Sequence, residues 1–302
     1  MNRTGTRVML VFGDPIAHSL SPLMQNAALQ KAGVNAVYGA CRVPKEQIGA
    51  AVAAVRLLNV WGVNLTVPLK EVVCPFLDEL DPAAQLIGAV NTIVNRDGHL
   101  VGYNTDVYGV RRTLDLDLGF DPAGKRVMIL GAGGASRAAI VALCQAGAAS
   151  LGIANRTVAR AETLIAEFAP AFPKTAFHAC SLSSLDLGNG LKKADLLINA
   201  TSVGLKGDRF VDFPWPALPD HAPVLDIVYS TEETSFVAAA KRHGHMATGG
   251  LGMLAAQGEK AFELWTGIAP QEWLMRSCLN AAQGKPTLLP MEGNLLAGMI
   301  GS

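Results

Sequence analysis

The segment "RVMILGAGGASRAAIVALCQAGA", Arg126 to Ala148, constrains the fold of this chain more than any other. A short apolar strand runs into a glycine-rich turn, and the turn opens an amphipathic helix. Gly131 and Gly133 take the first two positions of a G-x-G-x-x-G pattern, and Ser136 takes the third. Such a turn lets backbone amides and a helix N-terminus approach a pyrophosphate, as dinucleotide binding requires. A tight strand-to-helix turn without a ligand is the alternative on this stretch alone.

The end of the next strand narrows the choice. "LGIA" is followed by Asn155, Arg156 and Thr157, with Arg160 four residues after Arg156. An acidic residue there would accept from the ribose hydroxyls of NAD. Two guanidiniums and a hydroxyl suit the 2′-phosphate of NADP instead. Charge-assisted hydrogen bonds contribute about 1.5–3 kcal/mol each, enough for a preference of roughly tens- to hundreds-fold. Arginines on an ordinary helix surface are the competing reading; the residues favour NADP.

Short apolar runs alternate with helical patterns along most of the chain, which predicts α/β architecture with a largely parallel sheet. In the first third the pattern gives strands over 7–12, 36–43 and 62–67, with helices after Pro22 and over 45–58. Two runs flanking Asp97-Gly98 read as an antiparallel hairpin. A helix from Asp106 leads to a Gly/Pro-containing break over 119–125. Beyond the second α/β run, helices are expected over 234–243, 252–266 and 270–282. The stretch 284–302 lacks periodicity and is expected to lie on the surface.

At 302 residues, half of them hydrophobic and 17% charged, the chain is long enough for two packed domains. Lys plus Arg equal Asp plus Glu at 25 each, so no general attraction to nucleic acid or an anionic membrane arises. Five dispersed cysteines, without a CxxC pair or zinc spacing, read as reduced thiols of a cytoplasmic protein with no metal site. The opening "MNRTGTRVMLVFG" has too short an apolar run for a signal peptide, and no run of about 18 apolar residues suggests a membrane span. His243 and His245, without further ligands nearby, read as surface residues.

Chemistry-bearing residues gather in the first third. In "AHSLSPLMQNAAL", Ser21 reads as a helix N-cap with Pro22 at the first helical position. That leaves Ser19 unexplained; in an extended segment, residues two apart point to one side, and both hydroxyls would face one ligand. In "GVNLTVPLKE", Asn64 and Thr66 share a strand face, and Lys70 follows at its carboxyl end, where α/β folds build their sites. Hydride transfer also needs a group that moves a proton on the substrate oxygen. A carboxylate, Asp106 of "NTD", beside the Lys70 ammonium would serve; from the residues alone Lys70 reads equally as a surface lysine.

Six elements in order, "GDPIAHSLSP", "NLTVPLK", "GAVNT", "NTD", "GAGGASRA" with "NRTVAR", and "GLGMLAAQ", resemble the shikimate dehydrogenase family from about Val8 to Gln283. "NATSVG" and "DIVY" add weaker support. The resemblance implies a substrate domain of 1–106 and 253–302, to which the C-terminal helices return, and a Rossmann-type NADP domain of 107–252, with a cleft between them. It implies that Ser19 and Ser21 hold the substrate carboxylate, and that Thr66, Asn91, Asp106 and Gln257 hold the ring hydroxyls, with Tyr229 close by. Lys70 would move the proton at the C3 oxygen with Asp106 as partner, in reversible reduction of 3-dehydroshikimate by NADPH. Gly131, Ala132, Gly133, Gly134 and Ala135 would carry the pyrophosphate, and Asn155, Arg156, Thr157 and Arg160 the 2′-phosphate. Ile227 and Gly250 would lie near the nicotinamide.

The chain departs from the family pattern at Gln25, Val107, Leu205 and Gly249, and in "YSTEETSFV", which lacks the usual prolines. These leave open a relative that prefers quinate or a related polyol acid. A dinucleotide-binding sensor on the same scaffold would have no need of Lys70 and Asp106. A small-molecule substrate and a monomer or homodimer are expected.

Overall fold

The computed structural model describes residues 5–204, 207–230 and 232–289. The chain forms two compact units, one from residues up to Thr105 together with those from Leu254, the other from Asp106–Met253. The first carries β1 (Arg7–Gly13), α1 (Ser21–Lys31), β2 (Ala36–Arg42), α2 (Ile48–Leu57), β3 (Gly62–Leu65), β4 (Glu79–Leu80), α3 (Pro82–Ile87), β5 (Thr92–Arg96) and β6 (His99–Tyr103). The second carries α4 (Asp106–Leu118), β7 (Arg126–Leu130), α5 (Gly134–Gln145), β8 (Ser150–Asn155), α6 (Val158–Phe168), β9 (Ala176–Ser181), α7 (Ser184–Leu191), β10 (Leu196–Asn199), β11 (Val224–Asp226), α8 (Ser235–Arg242) and β12 (Ala247–Thr248). Helix α9 (Leu251–Thr266), from Leu254 onward, and α10 (Leu274–Ala282) then supply the C-terminal part of the first unit.

The first sheet is mixed, in the order β2-β1-β3-β5-β6-β4. Strand β1 pairs in parallel with β2 and β3, whereas β5 runs antiparallel to both β3 and β6. The β5–β6 turn is the expected hairpin: Asp97 (φ 52°) and Gly98 (φ 93°) both take positive φ, as a type I′ turn requires. Phe12, Val63, Leu69, Ile93 and Leu100 lie in its core. Trp265 of α9 donates its indole N–H to the Ile93 carbonyl at 2.9 Å, and Gly62 leaves the room for that ring.

The second sheet is wholly parallel, in the order β12-β11-β10-β7-β8-β9. The interior strands β7 and β10 read as continuous apolar runs because both faces of a parallel sheet are covered. The strand order reverses between β7 and β10, and ligands of such folds bind outside the carboxyl ends of the strands at that point.

Some expectations change. Helix α1 begins at Ser21, so Ser21 is not its N-cap; Leu20 precedes it in helical conformation (φ −85°, ψ −4°), and no side chain caps it. The segment before it is also not extended, since the Ser19 N–H bonds back to the Ile16 carbonyl at 3.0 Å. The tight turn itself brings the two serines together, with the Ser21 N–H donating to Ser19 Oγ at 3.3 Å. His243 is exposed as expected, but His245 is buried at 4% exposure. It packs 6.0 Å from Trp215, and burial lowers its pKa. All five cysteines are free, and burial pushes the Cys144 and Cys278 thiols up to about 11. Residues 284–289 carry no helix or strand; the rest of the expected tail, like Leu205, lies outside the described residues.

Candidate active site

In the first unit, the loops after the neighbouring strands β1 and β3 are joined. The Asp14 N–H donates to the Val67 carbonyl at 3.0 Å and the Thr66 N–H to the Phe12 carbonyl at 2.9 Å. Thr66 packs its methyl over Gly13, where any Cβ would collide with it. Lys70 follows on the second of these loops, half-buried, after the buried Leu69. Its carbonyl accepts from the Val90 N–H at 2.8 Å, which ties this loop to the segment carrying Asn91.

Asn91 is the centre of a buried polar network. Its Oδ1 accepts from the Thr105 N–H at 2.7 Å and from Thr92 Oγ1 at 3.0 Å. Its Nδ2 donates to Thr105 Oγ1 at 3.0 Å and to Gln257 Oε1 at 3.4 Å. Gln257 in turn donates to the Leu254 carbonyl at 2.8 Å. Asn91, Thr92, Thr105 and Gln257 are all under 9% exposed, so each bond lies in a low-dielectric setting where an orphaned group is costly. The structure thereby brings Asn91 and Gln257 together across 166 residues. Asp106 is the buried first residue of α4, after Asn104, whose Nδ2 donates to the Ala89 carbonyl at 2.9 Å. By the division of the chain, Lys70 belongs to the first unit and Asp106 opens the second.

In the second unit, the candidate cofactor residues sit at the carboxyl ends of the strands. Gly131 follows β7 with φ +102°, and a Cβ there would meet the Ala200 carbonyl oxygen at 2.9 Å, so only glycine fits. Gly133 stands just before α5 with open space where a Cβ would go. The Ser136 hydroxyl is fully buried without a partner among the described residues. Asn155 Nδ2 donates to the Thr157 carbonyl at 2.9 Å, holding the loop after β8. Thr157 precedes α6 without its hydroxyl capping the helix, and Arg156 and Arg160 are exposed and enter no ion pair among the described residues. The backbone cradle and two uncommitted guanidiniums fit an NADP pyrophosphate and 2′-phosphate. Gly250 packs so closely on the Ile227 carbonyl that a Cβ has no room, which fixes the chain beside β11.

The sequence reading assigned no role to Asn199 of "NATSVG" or Asp226 of "DIVY". Asp226 is fully buried and accepts from Thr234 Oγ1 (2.6 Å), Asn199 Nδ2 (2.8 Å) and the Val228 N–H (3.1 Å). Burial raises its pKa to about 6 against those three bonds. The pair locks the carboxyl ends of β10 and β11, next to Ile227 and Tyr229. An aspartate inside an apolar strand run was the available signal. Among the described residues no group of His, Cys, Asp and Glu is arranged to hold a metal, and no helix is long and apolar enough to cross a membrane.

Three family models match the chain. The shikimate dehydrogenase substrate binding domain matches residues 11–93, shikimate/quinate 5-dehydrogenase matches 117–205, and the shikimate 5′-dehydrogenase C-terminal domain matches 250–277. The shikimate dehydrogenase (NADP(+)) of Geobacter sulfurreducens is 47% identical over 277 residues, covering 92% of this chain and 97% of the relative. The structure of shikimate 5-dehydrogenase from Thermus thermophilus, in complex with NADP(H) and shikimate, superposes with a TM-score of 0.82 at 38% identity, covering 92% of this chain and all of that one. The ligand-free 5-ketofructose reductase of a Gluconobacter species superposes at 0.81 with 36% identity, covering 91% and 98%. On these matches the chain belongs to the shikimate dehydrogenase family.

Proposed function

We propose that this protein is an NADP-dependent shikimate dehydrogenase, which reversibly reduces 3-dehydroshikimate to shikimate. The observation that supports it best is the Asn91–Gln257 pairing, a buried polar wall in the same unit as the joined Thr66 and Lys70 loops. Such a wall suits a small polyhydroxylated ring better than an apolar ligand, because its amides and hydroxyls demand partners.

In this reading Ser19 and Ser21 hold the substrate carboxylate, with Tyr229 close to the substrate. Thr66, Asn91, Asp106 and Gln257 hold the ring hydroxyls. NADPH, when bound, supplies a hydride to the C3 carbonyl carbon. Lys70 gives the oxygen a proton as negative charge develops on it, and takes that proton back in the oxidative direction, with Asp106 as its partner. Gly131, Ala132, Gly133, Gly134 and Ala135 would hold the pyrophosphate of the cofactor, Asn155, Arg156, Thr157 and Arg160 its 2′-phosphate, and Ile227 and Gly250 would lie near its nicotinamide. The protein acts in the cytoplasm, as a monomer or homodimer.

Replacing Lys70 tests the chemistry. Lys70→Ala lowers kcat by about 10²- to 10⁴-fold, the usual span for an acid–base group. Cofactor affinity, followed by quenching of protein fluorescence, stays unchanged. Undiminished turnover in that variant would remove Lys70 from the mechanism.

A further inference from the structure

Asp226 has no surface left for a ligand, yet three donors converge on its carboxyl group. An ionised carboxylate only accepts, so the direction of each bond is fixed. Oδ1 takes the Val228 N–H at 3.1 Å and Asn199 Nδ2 at 2.8 Å, and Oδ2 takes the Thr234 hydroxyl at 2.6 Å. Val228 and Thr234 stand on either side of Tyr229, where the chain leaves β11 for α8. Thr234 also caps α8, its oxygen accepting from the Val237 N–H at 3.3 Å. One carboxyl group thus grips this connection at both of its ends.

The backbone between is held as closely. The Ile227 N–H donates to the Asn199 carbonyl at 2.9 Å, and the Val228 carbonyl accepts from the Gly250 N–H at 3.1 Å. A Cβ on Gly250 would stand 2.1 Å from the Ile227 carbonyl oxygen, so main chain meets main chain there. Asn199 ties the assembly to a second loop. Its Oδ1 accepts from the Thr201 N–H at 3.1 Å and from the Thr201 hydroxyl at 2.7 Å, which turns Nδ2 toward Asp226. Ala200 and Thr201 in turn lie against Gly131, their carbonyl oxygen and methyl 2.9 and 3.1 Å from where its Cβ would stand. A continuous path runs from the glycine turn after β7, through Thr201 and Asn199, to Asp226 and Ile227, all within the second unit.

We infer that Asp226 is a positioning residue that keeps the Ile227–Tyr229 backbone in register with the glycine turn, and so fixes where the nicotinamide end of the cofactor lies relative to its pyrophosphate. The inference rests on the reading of Gly131 and Ile227 given above. Hydride transfer depends steeply on the placement of donor and acceptor carbons, and a displacement of about 1 Å costs about a hundredfold. Affinity depends on it less, because charge-assisted bonds to the phosphates carry much of the binding. Removing the carboxyl group leaves the Asn199–Thr201 bonds, and the turn they support, in place. Loss of Asp226 therefore slows the transfer without loosening NADP.

Single-turnover oxidation of shikimate, followed by stopped flow at the reduced nicotinamide absorbance band, reads this directly. Enzyme is kept in excess over NADP and above its Kd, so the rate constant does not depend on the fraction of protein that is folded. In Asp226→Ala the rate constant is expected to fall about ten- to hundredfold, with the NADP Kd, from quenching of protein fluorescence, within about threefold of the parent. Asp226→Asn restores the rate constant to within about threefold. Its amide oxygen still serves Val228 and Asn199 while its N–H turns to the Thr234 oxygen. An unchanged rate constant in Asp226→Ala would overturn the inference, as would an Asp226→Asn variant as slow as Asp226→Ala, or a Kd that rises as much as the rate constant falls. Should Asp226→Ala not fold, Thr234→Val removes one of the three bonds. It is expected to slow transfer about three- to tenfold, with Thr234→Ser as its rescue, and an unaltered rate constant there would overturn the inference equally. The parent is measured first. If it transfers no hydride from shikimate to NADP, the functional reading itself fails and takes the inference with it, whereas an active parent with unaffected variants refutes the inference alone.

Discussion

The two units solve the problem of presenting polar groups to a ligand in opposite ways. In the first, the amides and hydroxyls are buried and bonded to one another: Asn64, Asn91, Thr92, Thr105 and Gln257 are each held by at least one other side chain. In the second, Arg156 and Arg160 stand exposed on the loop after β8 and the first turn of α6, held by backbone geometry alone. A group fixed in a buried network recognises one arrangement of hydroxyls and loses stability when altered. An exposed guanidinium gives up little stability when removed and adapts to a flexible phosphate. Substitutions in the first unit should therefore cost binding and folding together, whereas those in the second should separate the two.

The exception in the second unit offers the largest test of this contrast. Asp226 is as buried as anything in the first unit, and its pKa is raised from 3.8 to about 6 by that burial. A carboxyl whose folded pKa is raised favours the folded state below its unfolded value, and that contribution is lost as pH rises through the folded one. The displacement corresponds to about 3 kcal/mol lost between about pH 4 and pH 6. Asp195, held down to about 2 chiefly by its hydrogen bond from Arg126, acts in the opposite sense and only below that window. Asp226→Asn should flatten the dependence, so that denaturant melts give a variant-minus-parent stability that grows from pH 4 to pH 7. A constant difference across that range would place the titration elsewhere.

Next in size is Arg156→Ala. It should weaken NADP roughly tens- to hundreds-fold and NAD far less, with Tm within about 1 °C of the parent because the side chain is exposed. Equal losses for both cofactors would remove the 2′-phosphate contact. Asn91→Ala should behave in the other way. It leaves the buried Thr105 N–H without its acceptor, at about 1–3 kcal/mol, and raises KM for shikimate in the same protein. A variant with raised KM and an unchanged Tm would erase the distinction between the units. Smallest is the effect of Gly133→Ala on stability, within about 0.5 kcal/mol by thermal melt, since nothing lies where its Cβ would go. Gly131→Ala, strained at φ +102° and facing the Ala200 carbonyl, should be the clear loser of the two.

The same contrast governs what could be read from the sequence. The Gly131 turn, the Asp97-Gly98 hairpin and the arginines after β8 are local patterns, each carried by a few consecutive residues, and they lie after β7, between β5 and β6 and after β8. Asn91 and Gln257 were legible only by resemblance, because no local spacing connects residues that far apart. Tyr38 was invisible: a tyrosine in a strand reads as packing until its hydroxyl is seen to end on Asn64. The Ser21 cap failed for a related reason. Its residue types suit a cap, but the turn that bends the Ser19 N–H back to Ile16 makes Leu20 helical before the serine is reached. His245 was lost to tertiary packing, since nothing near it in sequence announces Trp215.

The most direct measurement crosses two substrates with two cofactors in the unaltered enzyme. Initial rates of oxidation, followed at the reduced nicotinamide absorbance band, would be taken for shikimate and quinate, each with NADP and with NAD. The expected result is a kcat/KM for shikimate with NADP at least about tenfold above every other combination, the scale set by one charge-assisted contact to the cofactor and one matched hydroxyl on the ring. Equal efficiency with quinate would contradict the reading of the Asn91 wall, and equal efficiency with NAD the reading of Arg156 and Arg160.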